Sequence, residues 1–220
     1  AGGLQRPFLP WLRQRLRHDH SVHEADFPAL ADGSSMLEVI EFIRQQTAFR
    51  PCTASSEEGG LRVDAVSGFL KGSSDTSAGQ YMFAYNMRFT NTGDRPLRVL
   101  SRQYDFRDAS QDISSQVLPD QPEAAGIVGF TPLLQPGAGF EFGSGASLTT
   151  PTGSATGRFL VMVEPELSGE DAELHERMEQ SDLMMRFAYF RSLGTEQFYL
   201  PLSELRFNAD VPCVSLRRGS

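Results

Sequence analysis

From residue 60 onward the chain alternates apolar and polar side chains with a period of two, in short runs separated by turn residues. Period two places successive side chains on opposite faces of a strand, so each run builds a ribbon with one apolar face. Leu61, Val63, Ala65 and Ser67 alternate with Arg62, Asp64 and Val66. Tyr81, Phe83, Tyr85, Met87 and Phe89 share a face, and the run stops at Asn91-Thr-Gly-Asp94, a strong turn signal. Leu97, Val99, Ser101, Gln103 and Asp105 then oppose Arg98, Leu100, Arg102, Tyr104 and Phe106. A strand over Gly126–Leu133, ended by Gln135-Pro-Gly137, a run with Phe140, Phe142 and Leu148, Phe159–Val163, and Phe198–Phe207 complete seven short strands. Strands do not alternate with helical segments along this stretch, which indicates an all-β antiparallel sandwich. The 20 Gly and 13 Pro supply its turns, and 16 Phe against one Trp suit an aromatic core.

One segment breaks the rhythm. Residues 164–182 carry eight acids, from Glu164 to Asp182, against Arg177 alone, a net charge of −7 within a chain of −8. Acids come first, then Arg186 and Arg191, then Gly194. Leu174, Met178, Met185 and Tyr189 are spaced by four and seven. This gradient with a glycine stop predicts one helix over 169–193, an insertion at 166–195 between the last two strands. Met184–Phe190 is also compatible with a strand extension.

The first 59 residues read differently. Pro7, Pro10, Pro28 and Gly33 mark an extended arm over 1–35, with one short helical turn at Trp11–Arg17. Ser34 or Ser35 is placed to cap a helix over Met36–Phe49, and 50–60 reads as a linker. The sandwich then spans 60–210, with a tail at 211–220. Arg6, Arg13, Arg15 and Arg17 face only Asp19 in the first twenty residues. That composition suits an organellar import remnant, hence a mitochondrial rather than cytoplasmic protein, and equally an arm docking on an acidic partner.

Net charge −8 argues against nucleic acid, since phosphate contact needs clustered Lys and Arg. No apolar run reaches the length of a membrane span. Cys52 and Cys213 stand far apart and outside any CxxC, and read as free thiols of a reducing compartment.

Between about Gly60 and Phe207 the residues resemble the ApaG domain family. Tyr81-Met-Phe-Ala-Tyr85 followed by Asn91-Thr-Gly93 is similar to the family's first hairpin. Leu100-Ser-Arg102, Tyr104 and Asp108 resemble its Leu-Ser-Arg-x-Trp-x-x-x-Asp stretch, with Tyr104 at the Trp position. Gly126-Ile-Val-Gly129 with Pro132 resembles its glycine-rich stretch. Gln135-Pro-Gly137, Phe140-Glu-Phe142, Ser144-Gly145, Leu148, Thr150-Pro151, Gly153 and Gly157 follow in the family's order. The resemblance implies an immunoglobulin- or fibronectin III-like sandwich of about seven strands and no established catalytic activity. In bacterial members it implies a link to cobalt and magnesium handling. In eukaryotic members it implies protein–protein contact. The arm and the acidic insertion lie outside the family pattern.

The family's glycine stretch has prompted a pyrophosphate-binding reading, which nominates Gly126 and Gly129. Here Ala124 stands at the first glycine, and Phe130-Thr-Pro132 follows where a phosphate-holding helix has to begin. Glycines serving tight turns are the simpler reading. His18, His20 and His23 are metal candidates on an arm without a scaffold, and His175 is expected to be exposed. Residues 60–163 and 196–210 contain neither His nor Cys, so no Ser–His–Asp or Cys–His arrangement can be built there. Asp105 and Asp108 read as solvated or capping groups.

Candidate protein contacts are Phe8, Trp11, Arg13, Arg15 and Arg17 on the arm, Ser101, Arg102 and Tyr104 on a strand, and Met178 and Met185 in the insertion. The expectation is a non-catalytic interaction module without a cofactor, an accessory subunit whose partners are other protein subunits. A domain binding a divalent cation, pyrophosphate or nucleotide is the alternative.

Overall fold

A computed structural model describes residues 52–119 and 121–212. The expectations for the arm, the helix over 36–49, Phe8, Trp11, Arg13, Arg15, Arg17, His18, His20, His23 and Cys213 lie outside the described residues.

Alternation along Leu61–Phe69 becomes a strand whose Leu61, Val63 and Ala65 are buried, while Arg62 and Asp64 pair on the outside. The full order is β1 (Thr53–Glu58), β2 (Leu61–Phe69), β3 (Tyr81–Asn91), β4 (Leu97–Asp108), β5 (Ile113–Val117), β6 (Leu133–Leu134), β7 (Gly139–Leu148), β8 (Thr152–Val163), α1 (Glu170–Glu179), α2 (Leu183–Ser192) and β9 (Gln197–Asn208). Sheet one runs β1-β2-β3-β7 and sheet two β5-β4-β8-β9, with β6 also on β4; the strand pairs are all antiparallel. The result is a fibronectin III-like sandwich. Its interior is a web of rings: Phe89 meets Phe159 edge-on at 4.8 Å, and Phe83 meets Phe207 at 5.2 Å. Each such pair adds about 0.5–1.5 kcal/mol beyond its buried area.

Several expectations are corrected. The linker over 50–60 contains β1, an edge strand. Its run Thr53–Glu58 lacks apolar alternation because an edge strand needs little inward surface. Gly59 and Gly60, with φ of 57° and 80°, close the β1–β2 hairpin, a turn that requires positive φ at both positions. The Ser56 and Ser203 hydroxyls meet at 2.7 Å and tie β1 to β9, linking the two sheets along one side. The domain also runs past 210: Val211 is buried, and its carbonyl accepts from Phe69 N–H at 2.7 Å.

Gly126–Leu133 is not a strand. It is a loop closed by an Ile127–Phe130 bridge, and only Leu133–Leu134 pairs, with β4. Positive φ at Gly126, Val128 and Gly129 breaks extended geometry there.

In β4 a register shift between Val99 and Ser101 swaps the faces. Leu97 and Val99 point into the core before it, and Tyr104 and Phe106 after it. One extra residue moves every later side chain to the opposite face, so the unbroken alternation expected for this strand fails.

The insertion holds two helices rather than one, and no strand extension. The Asp182 carboxylate accepts from the N–H groups of Met184 and Met185 and so caps a new helix at Leu183. Among the described residues no helix is long and apolar enough to cross a membrane.

Candidate functional site

Sheet two has two covered faces where β4 and β8 pass side by side. The inner face meets the core. On the outer face Leu100, Leu160 and Met162 form a second apolar cluster with Phe190 of α2, with Phe187, Tyr189 and Leu193 at its margin. This explains why all of 97–101 is buried although β4 is a strand. Phe190, in the same insertion as the contact candidates Met178 and Met185, seats that insertion on its own sheet.

Arg98 stands beside this cluster, only 3% exposed. Its Nε and one terminal amine donate to the two oxygens of Glu164 at 2.7 and 2.5 Å, and the same amine donates to Glu179 of α1. The other amine donates to the Thr131 carbonyl at 3.2 Å, and the guanidinium carbon lies 4.1 Å from the centre of the Phe190 ring. Burial works to lower the Arg98 pKa, but the two carboxylates outweigh it and hold the group above its ordinary value. One cation thus joins β4, the end of β8, α1 and the 126–131 loop.

His175 belongs to the same network, contrary to the expected exposure. Its Nε2 lies 2.8 Å from Glu164, its Nδ1 3.4 Å from the Tyr189 hydroxyl, and its ring 5.2 Å from that of Phe190. Glu164, His175 and Glu179 bring three ligand-type atoms within 4.8 Å of one another. Donor types and spacing suit a divalent ion, yet Arg98 already donates to both carboxylates and fills the place of a cation. The cluster therefore reads as an ion network that anchors the helices.

The expected contact cluster on β4 is corrected. Ser101 and Tyr104 are buried, and Tyr104 lies among Phe106, Phe159 and Tyr85. The shift in β4 turned Tyr104 inward, and Gly157 lets its ring approach the backbone of β8: a Cβ there falls 2.9 Å from the ring. Burial pushes the Tyr104 phenol well above its ordinary pKa. Arg102 is half-buried and donates to the Gly126 carbonyl at 2.7 Å, so it holds the glycine loop. Asp105 accepts from Gln116 at 2.9 Å, and Asp108 accepts from the backbone N–H of Ser110 at 2.8 Å, both local roles.

In the glycine loop, Gly126 N–H donates to Leu100, while Ile127 N–H and the Phe130 carbonyl pair at 2.6 Å, and Phe130 N–H and the Ile127 carbonyl at 3.0 Å. A phosphate cradle needs convergent N–H groups at a nest or helix start. Here two of them close the loop on itself and a third, Gly126 N–H, ties it to β4, and the chain continues to Pro132 and β6. Gly126 has φ 65°, and a Cβ on it meets the Phe130 carbonyl oxygen at 2.5 Å and Leu183 Cδ1 of α2 at 2.8 Å; Gly129 has φ 86° in open space. Gly126→Ala is therefore expected to destabilise the domain by about 2–4 kcal/mol, combining strained φ with backbone overlap. Gly129→Ala is expected to cost about 1 kcal/mol, from φ alone. Urea denaturation of both variants checks the difference, and equal losses contradict this account of the loop.

Beyond Gly126 the loop turns outward. Phe130 is 59% exposed, and Val128 and Leu133 are exposed beside it. On α2, Met185 is 56% exposed and Met184 nearly as open, whereas Met178 on α1 is half-buried. Of the two methionines expected to make contacts, only Met185 is fully presented. No local signal marked Phe130 and Val128, which fall within the strand expected over Gly126–Leu133.

Comparison with known proteins places this geometry. The ApaG domain family model matches residues 71–163. Protein ApaG of Aromatoleum aromaticum is 32% identical over 111 residues, half of this chain and 83% of that protein. Protein ApaG of Bordetella pertussis is 37% identical over 99 residues, 45% of this chain and 71% of that protein. The crystal structure of an ApaA protein from Bordetella pertussis superposes with a TM-score of 0.50 at 28% identity, over 67% of this chain and 92% of that one. Residues 164–195, with α1 and α2, lie beyond the family match.

Proposed function

The chain belongs to the ApaG family, and from that premise we propose that it is a non-catalytic protein–protein interaction module, an accessory subunit of a larger assembly. The observation that carries this reading is the pair of helices beyond the family match. Arg98 and Phe190 hold the pair firmly on sheet two, yet its Met184 and Met185 face outward. A rigid element that presents apolar side chains is what a binding surface needs, because little ordering remains to oppose association. The loop chemistry favours this over a small-ligand role, since the N–H groups of Gly126, Ile127 and Phe130 are taken up by carbonyls of β4 and of the loop itself.

Native purification of the full chain tests the proposal. The expected result is elution well above its own 24.3 kDa, with other proteins in fixed stoichiometry. Elution alone at that mass overturns it, and turnover of a small molecule that a single carboxylate substitution abolishes would put a catalytic reading in its place.

A further inference from the structure

We propose that the tip of the 126–134 loop and the first turn of α2 form one docking surface, and that its occupant is a basic amphipathic segment of a partner protein. This rests on the interaction-module reading and specifies it. Nine large apolar side chains are exposed among the described residues, and five of them, Val128, Phe130, Leu133, Met184 and Met185, come from these two segments. Scattered exposed apolar residues need no explanation, whereas a concentration of them marks a contact site. The segments are neighbours: Leu183, next to Met184, packs on Gly126, and the Arg98 that binds Glu179 also binds Thr131. Phe130 lies against Phe140, ring centres 6.3 Å apart, so it stands on a floor.

Charge selects the occupant. Glu166, Glu170, Asp171, Glu173, Glu176 and Asp182 are exposed along the adjoining segment, where Arg177 is the one base between them. The same patch on a second copy of this chain presents the same charge, so the two patches do not pair face to face. An anionic lipid surface and a nucleic acid are repelled for the same reason. A segment with an apolar stripe bordered by Lys and Arg meets both requirements: its stripe covers the phenylalanine and methionines, and its cations face the acids. Flexible thioethers let such a surface adapt to the shape of the stripe.

The probe is a labelled amphipathic peptide of leucine and lysine, about eighteen residues so that a helix can hold, with a leucine–glutamate peptide as its counterpart. Fluorescence anisotropy with the full chain is expected to give a roughly micromolar dissociation constant for the lysine peptide. That binding should weaken about tenfold between low and moderate salt. The glutamate peptide should not bind. Phe130→Ser and Met185→Ser are each expected to weaken binding about tenfold, with melting temperature unchanged because both side chains are exposed. Absence of lysine-peptide binding, binding insensitive to salt, or wild-type affinity in both variants overturns the proposal. If the wild-type chain purifies in an assembly that both variants retain in full, the surface is wrong while the module reading stands. If the wild-type chain has no assembly, the module reading itself fails.

Discussion

Arg98→Ala is expected to destabilise the domain by about 3–5 kcal/mol, the range for removing one partner of a buried ion pair. The substitution leaves Glu164, 11% exposed, without its twin donors, and Glu179 facing it across a vacated space. Glu179 is more open, so solvent screens it and it contributes the smaller share. Urea denaturation should show the loss as a lower midpoint with an unchanged slope. For a domain of this size the melting temperature should fall on the order of 10 °C. A companion variant separates the missing charge from the missing packing: Arg98→Met combined with Glu164→Gln and Glu179→Gln should recover most of the loss, because a neutral cluster of similar volume replaces ions without stranding any. A loss below about 1 kcal/mol in Arg98→Ala would place the network among ordinary surface pairs.

Phe190→Ala is the second large effect, and it should be local. Truncating a fully buried phenylalanine costs about 3–5 kcal/mol. Among the described residues its cluster has three other buried members, Leu100, Leu160 and Met162, so that cost is comparable with what they contribute to seating the helices. Hydrogen exchange is the informative measurement. Backbone amides over 170–192 should exchange on the order of a hundredfold faster, while β3 and β8 keep their protection. The reason is architectural. The main core around Phe83, Phe89 and Phe159 lies on the other side of sheet two and does not contain Phe190. Uniform acceleration across the whole domain would show that the insertion and the sandwich open as one unit.

The inner faces of β2 and β3 were legible because alternation is local: each buried residue announces itself by its neighbours two away. The fold class followed, and so did the turn at Asn91–Asp94. What failed depended on distant partners or on single-residue slips. Tyr104 changed face because of one shift in β4, which no pattern of apolar residues marks. Arg98 sat at a polar position of an apparently half-solvated strand. Its burial depends on Glu164 and Glu179, 66 and 81 residues further along, and on an insertion that reads as one acidic helix. Phe130 was hidden by the opposite error, since its run of apolar neighbours imitates a strand until the positive φ values at Gly126, Val128 and Gly129 bend it into a loop. The acidic charge of 164–182 was plain from composition, but the division of labour within it was not. Two of its acids, Glu164 and Glu179, face inward to Arg98, while most of the others face outward.

The Arg98 node also sets the terms on which the helical pair can be transplanted. A host sandwich given only residues 164–195 would receive two carboxylates aimed at its outer face and a phenylalanine with nothing beneath it. To accept the graft, the host must already carry a cation at the position of Arg98 and an apolar bed equivalent to Leu100, Leu160 and Met162. The helical pair and four strand positions outside it are therefore one heritable block, and a chimera that moves the first without the second should shed the appendage while its sheets stay folded.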